Sequence, residues 1–275
     1  MLPTRSLVIE PPRRWEAIQL GELWAYRELL YFLTWRDVKV RYKQTAIGAA
    51  WAVLQPLLTM VVLAVIFGAF IRVPTDGLPY PVFAYAALLP WNFFASSLSR
   101  ASSSLVNDAS LISKVYFPRL LLPVSAVLSM TIDFGIAFII LLGMMAWYGI
   151  VPGVAVLTLP FFLLLAFITG LGCGLWLSAL NVRYRDIAYI TPFLIQVWLF
   201  ITPVAYPSSI IPERWRALYG LNPMTGVVEG FRWALLNTAK APQTTILVST
   251  GVVVLLFIGG IFWFRRLEQG FADVV

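Results

Sequence analysis

The chain has 275 residues, 60% of them hydrophobic and only 12% charged, with a formal net charge of +7 at pH 7. Soluble domains carry about a quarter charged residues, so this balance, a mean hydropathy of +0.83 and long uncharged runs exclude an ordinary soluble domain and point to a polytopic membrane protein. The basic residues flank apolar runs, as Lys and Arg do on the cytoplasmic side of membrane spans, and form no soluble patch for nucleic acid.

Cys173 is the single cysteine and there is no histidine, so no intrachain disulfide forms and no Cys/His metal site is expected. Residues 1–19 are polar, with Pro3, Pro11 and Pro12, and read as a cytoplasmic tail without the pattern of a cleaved signal peptide. From Leu20 to Tyr42 the sequence predicts an amphipathic helix. Leu20, Trp24, Tyr31, Trp35, Val38 and Tyr42 share one face, and Arg36, Lys39 and Lys43 another. Such a helix suits the headgroup layer of a membrane or the surface of a soluble partner, and the two are compatible. Gln44 to Ile71 then contains no charge. This is longer than the roughly 20 residues that cross a bilayer core, and the cations Arg36, Lys39, Arg41 and Lys43 just before it predict entry from the cytoplasm.

Six spans are expected. The first is Ala49–Ile71, followed by an outer turn at Arg72–Pro79. The second starts near Pro81 and ends in a polar stripe, Ser96, Arg100, Ser103 and Asn107, which is costly against lipid and should face protein or a water-filled path unless the helix has already left the membrane. Asn107-Asp108 is placed to cap a short helix, Ala109–Phe117, whose apolar Leu111, Ile112, Val115, Tyr116 and Phe117 need a cover, either a cytoplasmic partner or the lipid surface. Phe134 to Val182 is uncharged and divides near Tyr148–Gly153 into a third span, Leu122–Tyr148, and a fourth, Ala155–Leu180. Asp133 lies inside the third span with no evident basic partner at that depth. The sequence leaves open whether it is coupled to protons, protonated, or hydrogen-bonded between helices. Gly170, Gly172 and Gly174 predict close approach of the fourth span to a neighbour.

A basic inner loop, Asn181–Asp186, leads to a fifth span, Ile187–Tyr206, with Tyr189, Phe193, Gln196 and Phe200 on one stripe. That stripe suits either a sugar path or helix packing. The segment Pro207–Pro242 holds two helices too short to span, Glu213–Leu221 and one opened by the Asn222-Pro223 start signal, with Glu229 and Arg232 spaced to pair. The sixth span is Thr244–Phe264, anchored by Arg265-Arg266. With both termini cytoplasmic, all the lysines and arginines except Arg72, Arg214, Arg216, Arg232 and Lys240 fall on the inner side. The fold class is therefore an all-α integral membrane protein with two parts, a tail and amphipathic helix at residues 1–47 and a six-helix membrane domain at residues 48–275.

No lysine precedes Ser or Thr, so there is no GxxxxGK[ST] phosphate loop, and no GxSxG or HExxH motif occurs. A six-span chain that offers an apolar helix to the cytoplasm and lacks an ATP site reads as one half of a machine, with the powered half on another chain.

The stretches RDVKVRYKQTAIGAAWAVLQPL, SLISKVYFPRLLLP, NVRYRDIAYITPFLIQVWLFITPVAYP and LNPMTGVVEGFRWALL resemble the permease subunit of ABC-2 type exporters, in the branch that exports lipid-linked polysaccharides such as O-antigen, capsule or teichoic acid. The resemblance implies a transport permease and not an enzyme. It implies a homodimer in the bacterial inner membrane with two copies of an ABC-type ATP-binding subunit, which would hold ATP and Mg, and no cofactor on this chain. It implies a gate helix at Leu20–Tyr42 and a coupling helix at Asp108–Phe117, with Leu111, Ile112, Lys114, Val115, Tyr116 and Phe117 contacting the ATPase. The outer helices would form a gate that includes Asn222, Pro223, Glu229 and Arg232. An undecaprenyl-pyrophosphate-linked glycan would enter near spans 1 and 5, along a path holding Gln55, Thr59, Ser96, Arg100, Ser103, Tyr189, Phe193, Gln196 and Phe200. Arg36, Lys39, Arg41, Lys43, Arg183 and Arg185 are expected to attract its pyrophosphate, although positive-inside anchoring accounts for them equally. Two other functions are weighed: an ABC-2 exporter of drugs or lipids on the same fold, and a membrane-embedded transferase, which the lack of histidine and of converging acids argues against.

Overall fold

The computed structural model describes residues 20–43, 48–75, 77–237, 243–268 and 271, and among these every regular element is helical. The predicted tail at residues 1–19, the Gln44 junction, Asp76 of the outer turn and Lys240 lie outside the described residues. Eleven α-helices are described: α1 (Leu20–Ala25), α2 (Arg27–Lys43), α3 (Gly48–Leu63), α4 (Tyr80–Asn107), α5 (Ala109–Lys114), α6 (Leu121–Trp147), α7 (Leu159–Arg183), α8 (Ile187–Ile201), α9 (Glu213–Tyr219), α10 (Pro223–Leu236) and α11 (Gln243–Glu268). A π-helical stretch, Ala64–Phe70, continues α3, and a 3-10 turn, Val154–Thr158, leads into α7.

Four segments are long and apolar enough to cross a membrane: Val53–Phe70, Leu121–Trp147, Val154–Arg183 and Gln243–Glu268. The other two expected spans differ for separate reasons. At 28 residues α4 has the length, but serines and Arg100 dilute its second half. The fifth run is helical for only 15 residues and turns extended at Thr202 where span 5 was expected to continue to Tyr206. Pro203 lacks an N–H and its ring crowds the preceding turn, and the carbonyls freed there are claimed by another helix.

The bundle is built around α4, whose Val82–Leu89 run is almost wholly buried. It packs on α3, α6, α7, α8 and α10, while α7 lies between α4 and α11. The three glycines of α7 explain that position. A Cβ on Gly170 would meet Ser97 at 2.9 Å and one on Gly174 would meet Ala101 at 2.5 Å, both on α4. On the other side, one on Gly172 would meet the Phe257 backbone of α11 at 3.0 Å. Small residues thus let both neighbours approach along backbone.

Cross-links show that the long helices alternate in direction. Arg119, before α6, bonds to Glu268 at the end of α11, and the Asn181 amide near the end of α7 donates to the Ser102 carbonyl at 2.9 Å. At the opposite end Asn237, in a left-handed conformation (φ 51°), caps α10. Its side chain accepts from Gly153 N–H and donates to Val151 O, both at 3.1 Å. One end therefore carries α2, α5 and the Arg183–Arg185 loop, and is the basic end; α9 and α10 lie at the other.

Candidate functional site

At the basic end, α2 packs against α6. The aromatic face expected to meet headgroups or a soluble partner is largely left uncovered by the protomer. Leu33 and Val38 are buried, but Trp24, Tyr31 and Trp35 remain 71%, 64% and 43% exposed. The register is set by charge. The Arg41 guanidinium binds the Asp133 carboxylate and donates to Ser129 Oγ at 3.1 Å, and the Tyr42 hydroxyl donates to the other Asp133 oxygen. Asp133 therefore has the basic partner that the sequence seemed to lack, supplied by a helix 92 residues away in sequence. Burial, then the bond to Asp133, pushes the Tyr42 phenol up to about 12, so it stays a donor at neutral pH.

A second clamp lies toward the start of the same helix. Arg36 grips Asp108 with both terminal nitrogens at 2.8 Å and also takes Asp37. The Asp108 bond is the main cause that holds the Arg36 guanidinium above its usual pKa. Asp108 makes no side-chain cap on α5; the expected N-cap is spent on joining α2 to the α4–α5 corner.

The short helix is α5, Ala109–Lys114, with Val115 extended beyond it. Its predicted contact residues divide. Ile112 and Phe117 are buried and Leu111 is half-buried, while Lys114, Val115 and Tyr116 are exposed, Tyr116 to 73%. The remaining basic residues singled out by the sequence, Lys39, Lys43, Arg183 and Arg185, are all exposed. Lys39 lies over the Trp35 ring at 5.6 Å and Arg183 over Tyr184 at 5.7 Å.

Both predicted stripes lie uncovered. On α4, Ser96 and Arg100 are exposed and Ser103 half-exposed, while the opposite face, with Trp91, Phe94, Leu98 and Ala101, is core. On α8, Tyr189, Phe193, Gln196 and Phe200 are all exposed, Tyr189 to 83%. On α3, Gln55 is exposed and Thr59 half-exposed, its hydroxyl bonded back to the Gln55 carbonyl. α3 and α8 each pack on α4, and the protomer leaves these polar and aromatic residues uncovered. A separate cavity lies elsewhere. It is a crevice of about 740 Å³ near the opposite end between α3 and α6, lined by Leu57, Met60, Val65, Ile140, Met144 and Trp147, without a charge to hold a polar substrate.

At that opposite end Asn222 is a junction. Its Oδ1 caps the Met224 N–H at 3.1 Å and accepts from Trp198 Nε1 at 2.8 Å, and its amide donates to Thr202 Oγ1 at 2.9 Å. Pro223 occupies the first helical turn and is buried. The expected Glu229–Arg232 pair does not form within 4 Å. Arg232, only 4% exposed, instead donates to the carbonyls of Phe83, Pro203, Val204 and Tyr206 and lies 3.7 Å from the Phe83 ring centroid. It thereby holds the unwound end of α8. Glu229 is buried, with Oε2 unbonded, and burial pushes its carboxyl above the ordinary range. The only sequence signal for this cage was an arginine in an apolar helix too short to span.

Residues 28–236 match the ABC-2 type transporter family. An O-antigen export system permease protein of Myxococcus xanthus is 33% identical over 253 residues, covering 90% of this chain and 96% of that protein. One from Klebsiella pneumoniae is 30% identical over 250 residues (90% and 95% covered), and a polysialic acid transport protein of Escherichia coli is 24% identical over 241 residues (85% and 91% covered). With helices long enough to span and a match over most of its length, the chain belongs to the ABC-2 type transporter family, as a membrane permease.

Proposed function

We propose that this chain is the transmembrane subunit of an ATP-driven exporter that moves undecaprenyl-pyrophosphate-linked polysaccharide from the cytoplasmic to the outer face of a bacterial inner membrane. The observation that carries this reading is the pair of uncovered stripes, polar on α4 and aromatic on α8, in a chain whose relatives are named for polysaccharide export. A polar stripe is unfavourable against lipid, and aromatic rings suit sugar faces. A second copy of the chain would cover these stripes and close a path.

In this reading the basic end is cytoplasmic, both termini lie there, and α4 and α8 (with residues 202–206) complete six spans. Two copies of an ATP-binding subunit supply ATP and Mg and dock on α5. The exposed aromatics of α2 lie in the headgroup layer as a gate helix, and α9 and α10 form the outer gate. Because Arg36 ties α2 to Asp108 beside α5, ATP-driven movement of the coupling helix reaches the gate helix through one ion pair.

Tyr116→Asp tests the docking face. Tyr116 contributes nothing to the core, so the variant is expected to fold and insert normally. An acid in an apolar interface costs several kcal/mol, so export is expected to fall about tenfold or more. Co-purification of the ATP-binding subunit and in-cell export check this; normal export would count against docking on α5. The function itself is tested by the ATPase rate of the permease purified with its co-encoded ATP-binding subunit. Undecaprenyl-linked glycan is expected to stimulate it. Stimulation by drugs or simple lipids alone would shift the assignment to another branch of the family.

A further inference from the structure

The exporter reading leaves open which residue meets the pyrophosphate inside the protein, and the partners of the cations bear on this. Arg36 is neutralised by Asp37 and Asp108, and Arg41 is bound to Asp133. Arg119 and Arg265 share Glu268, and Lys39 and Arg183 lie over aromatic rings near the surface. Arg100 differs from all of these. Among the described residues it has no ion pair and no side-chain hydrogen bond, and it projects from the exposed stripe of α4. Ser96 lies one turn before it, exposed, and its hydroxyl likewise has no partner among the described residues. The charges that act most on Arg100 are Arg41, Asp133 and Asp37, of which the first two are paired with one another.

A guanidinium without a counterion on a polar helix stripe is costly at membrane depth. Twenty residues from Tyr80, Arg100 lies about 30 Å along α4 from its opposite end, which places it toward the basic end of the protomer. Neutral sugar units do not require a fixed cation there. A phosphate ester does: the planar fork of arginine matches phosphate oxygens two at a time, and a serine one turn away on the same face adds a hydroxyl donor.

We infer that Arg100, with Ser96 beside it, is the phosphate-binding point of the α4 stripe and takes the diphosphate of the lipid-linked substrate after it has passed the surface cations. This rests on the exporter reading given above. It reassigns the role expected of Arg36 and Arg41, which the structure shows engaged with carboxylates.

The test uses the permease with its ATP-binding subunit in phosphatidylethanolamine nanodiscs, titrated with undecaprenyl diphosphate, undecaprenol and phosphatidylglycerol. The wild type is expected to prefer the diphosphate. Arg100→Gln is expected to weaken its binding by about tenfold or more, since a charge-assisted hydrogen bond is lost. Arg100→Lys, which keeps the charge but not the fork, should weaken it roughly threefold, and Lys43→Gln less than that. Unchanged diphosphate affinity in Arg100→Gln overturns the inference, as does an equal dependence on Arg100 for phosphatidylglycerol, which would mark a general lipid-phosphate contact. A wild type that binds undecaprenol as well as the diphosphate would instead sink the exporter reading. Should Arg100→Gln fail to fold, Ser96→Ala decides: a roughly threefold loss is expected, and no loss overturns the assignment.

Discussion

Arg232→Met is expected to be among the most destabilising single substitutions in the chain, lowering stability by about 3–5 kcal/mol in a detergent-unfolding titration. The volume is nearly conserved, so no large cavity accounts for the loss. The cost comes mainly from the backbone carbonyls of Pro203 and Val204, buried beyond the end of α8, with smaller shares from Phe83, which keeps its bond within α4, and the part-buried Tyr206. Each orphaned buried acceptor costs about 1–3 kcal/mol, and partial relaxation keeps the sum below four such penalties. Arg232→Lys should recover only part, because one ammonium cannot reproduce the spread of the guanidinium donors. Local disorder should appear first around residues 202–206, read by hydrogen exchange. If Arg232→Met unfolds with wild-type stability, the carbonyl cage is not what holds the end of α8.

What was legible in the sequence is whatever local chemistry decides. Uncharged runs bounded by Pro, Gly or cations marked the long helices to within a few residues: Leu122–Tyr148 was expected where α6 is Leu121–Trp147. Asn222-Pro223 announced α10 because an N-cap acceptor followed by proline has few other uses. The α7 glycines marked close approach because a missing Cβ matters only where another backbone passes near. The misreadings concern partners distant in sequence. Nothing in the neighbourhood of Asp133 names Arg41, because the pair is made across 92 residues of sequence. The early end of α8 belongs to the same class. Its sequence stays apolar to Tyr206, and only Thr202-Pro203 hints at the break that Arg232 completes from α10.

The Arg41–Asp133 pair is expected to show a large, favourable coupling in a double-mutant cycle. Asp133 lies 14 residues before the end of α6 at Trp147, about 21 Å along the axis, so the pair sits on an apolar helix well away from its ends. Removing one partner breaks the pair: Asp133→Asn takes the carboxylate from Arg41, and Arg41→Leu leaves Asp133 bonded to the Tyr42 hydroxyl without its guanidinium. Breaking a buried pair in this way costs about 3–5 kcal/mol, whereas removing both charges is often close to neutral. With the pair's side chains still 13% and 24% exposed, the lower end of that range is expected. Each single variant should unfold earlier by about 3 kcal/mol, and the double variant Arg41→Leu/Asp133→Asn by less than either. Export should separate from stability. If the pair serves only to stabilise the fold, the double variant regains transport along with its stability. If α2 must leave α6 and return during each cycle, the uncharged double variant holds the helix without a releasable ion pair, and export stays low in a well-folded protein. Additive single effects, with the double variant the least stable of the three, would show that the two side chains do not support each other.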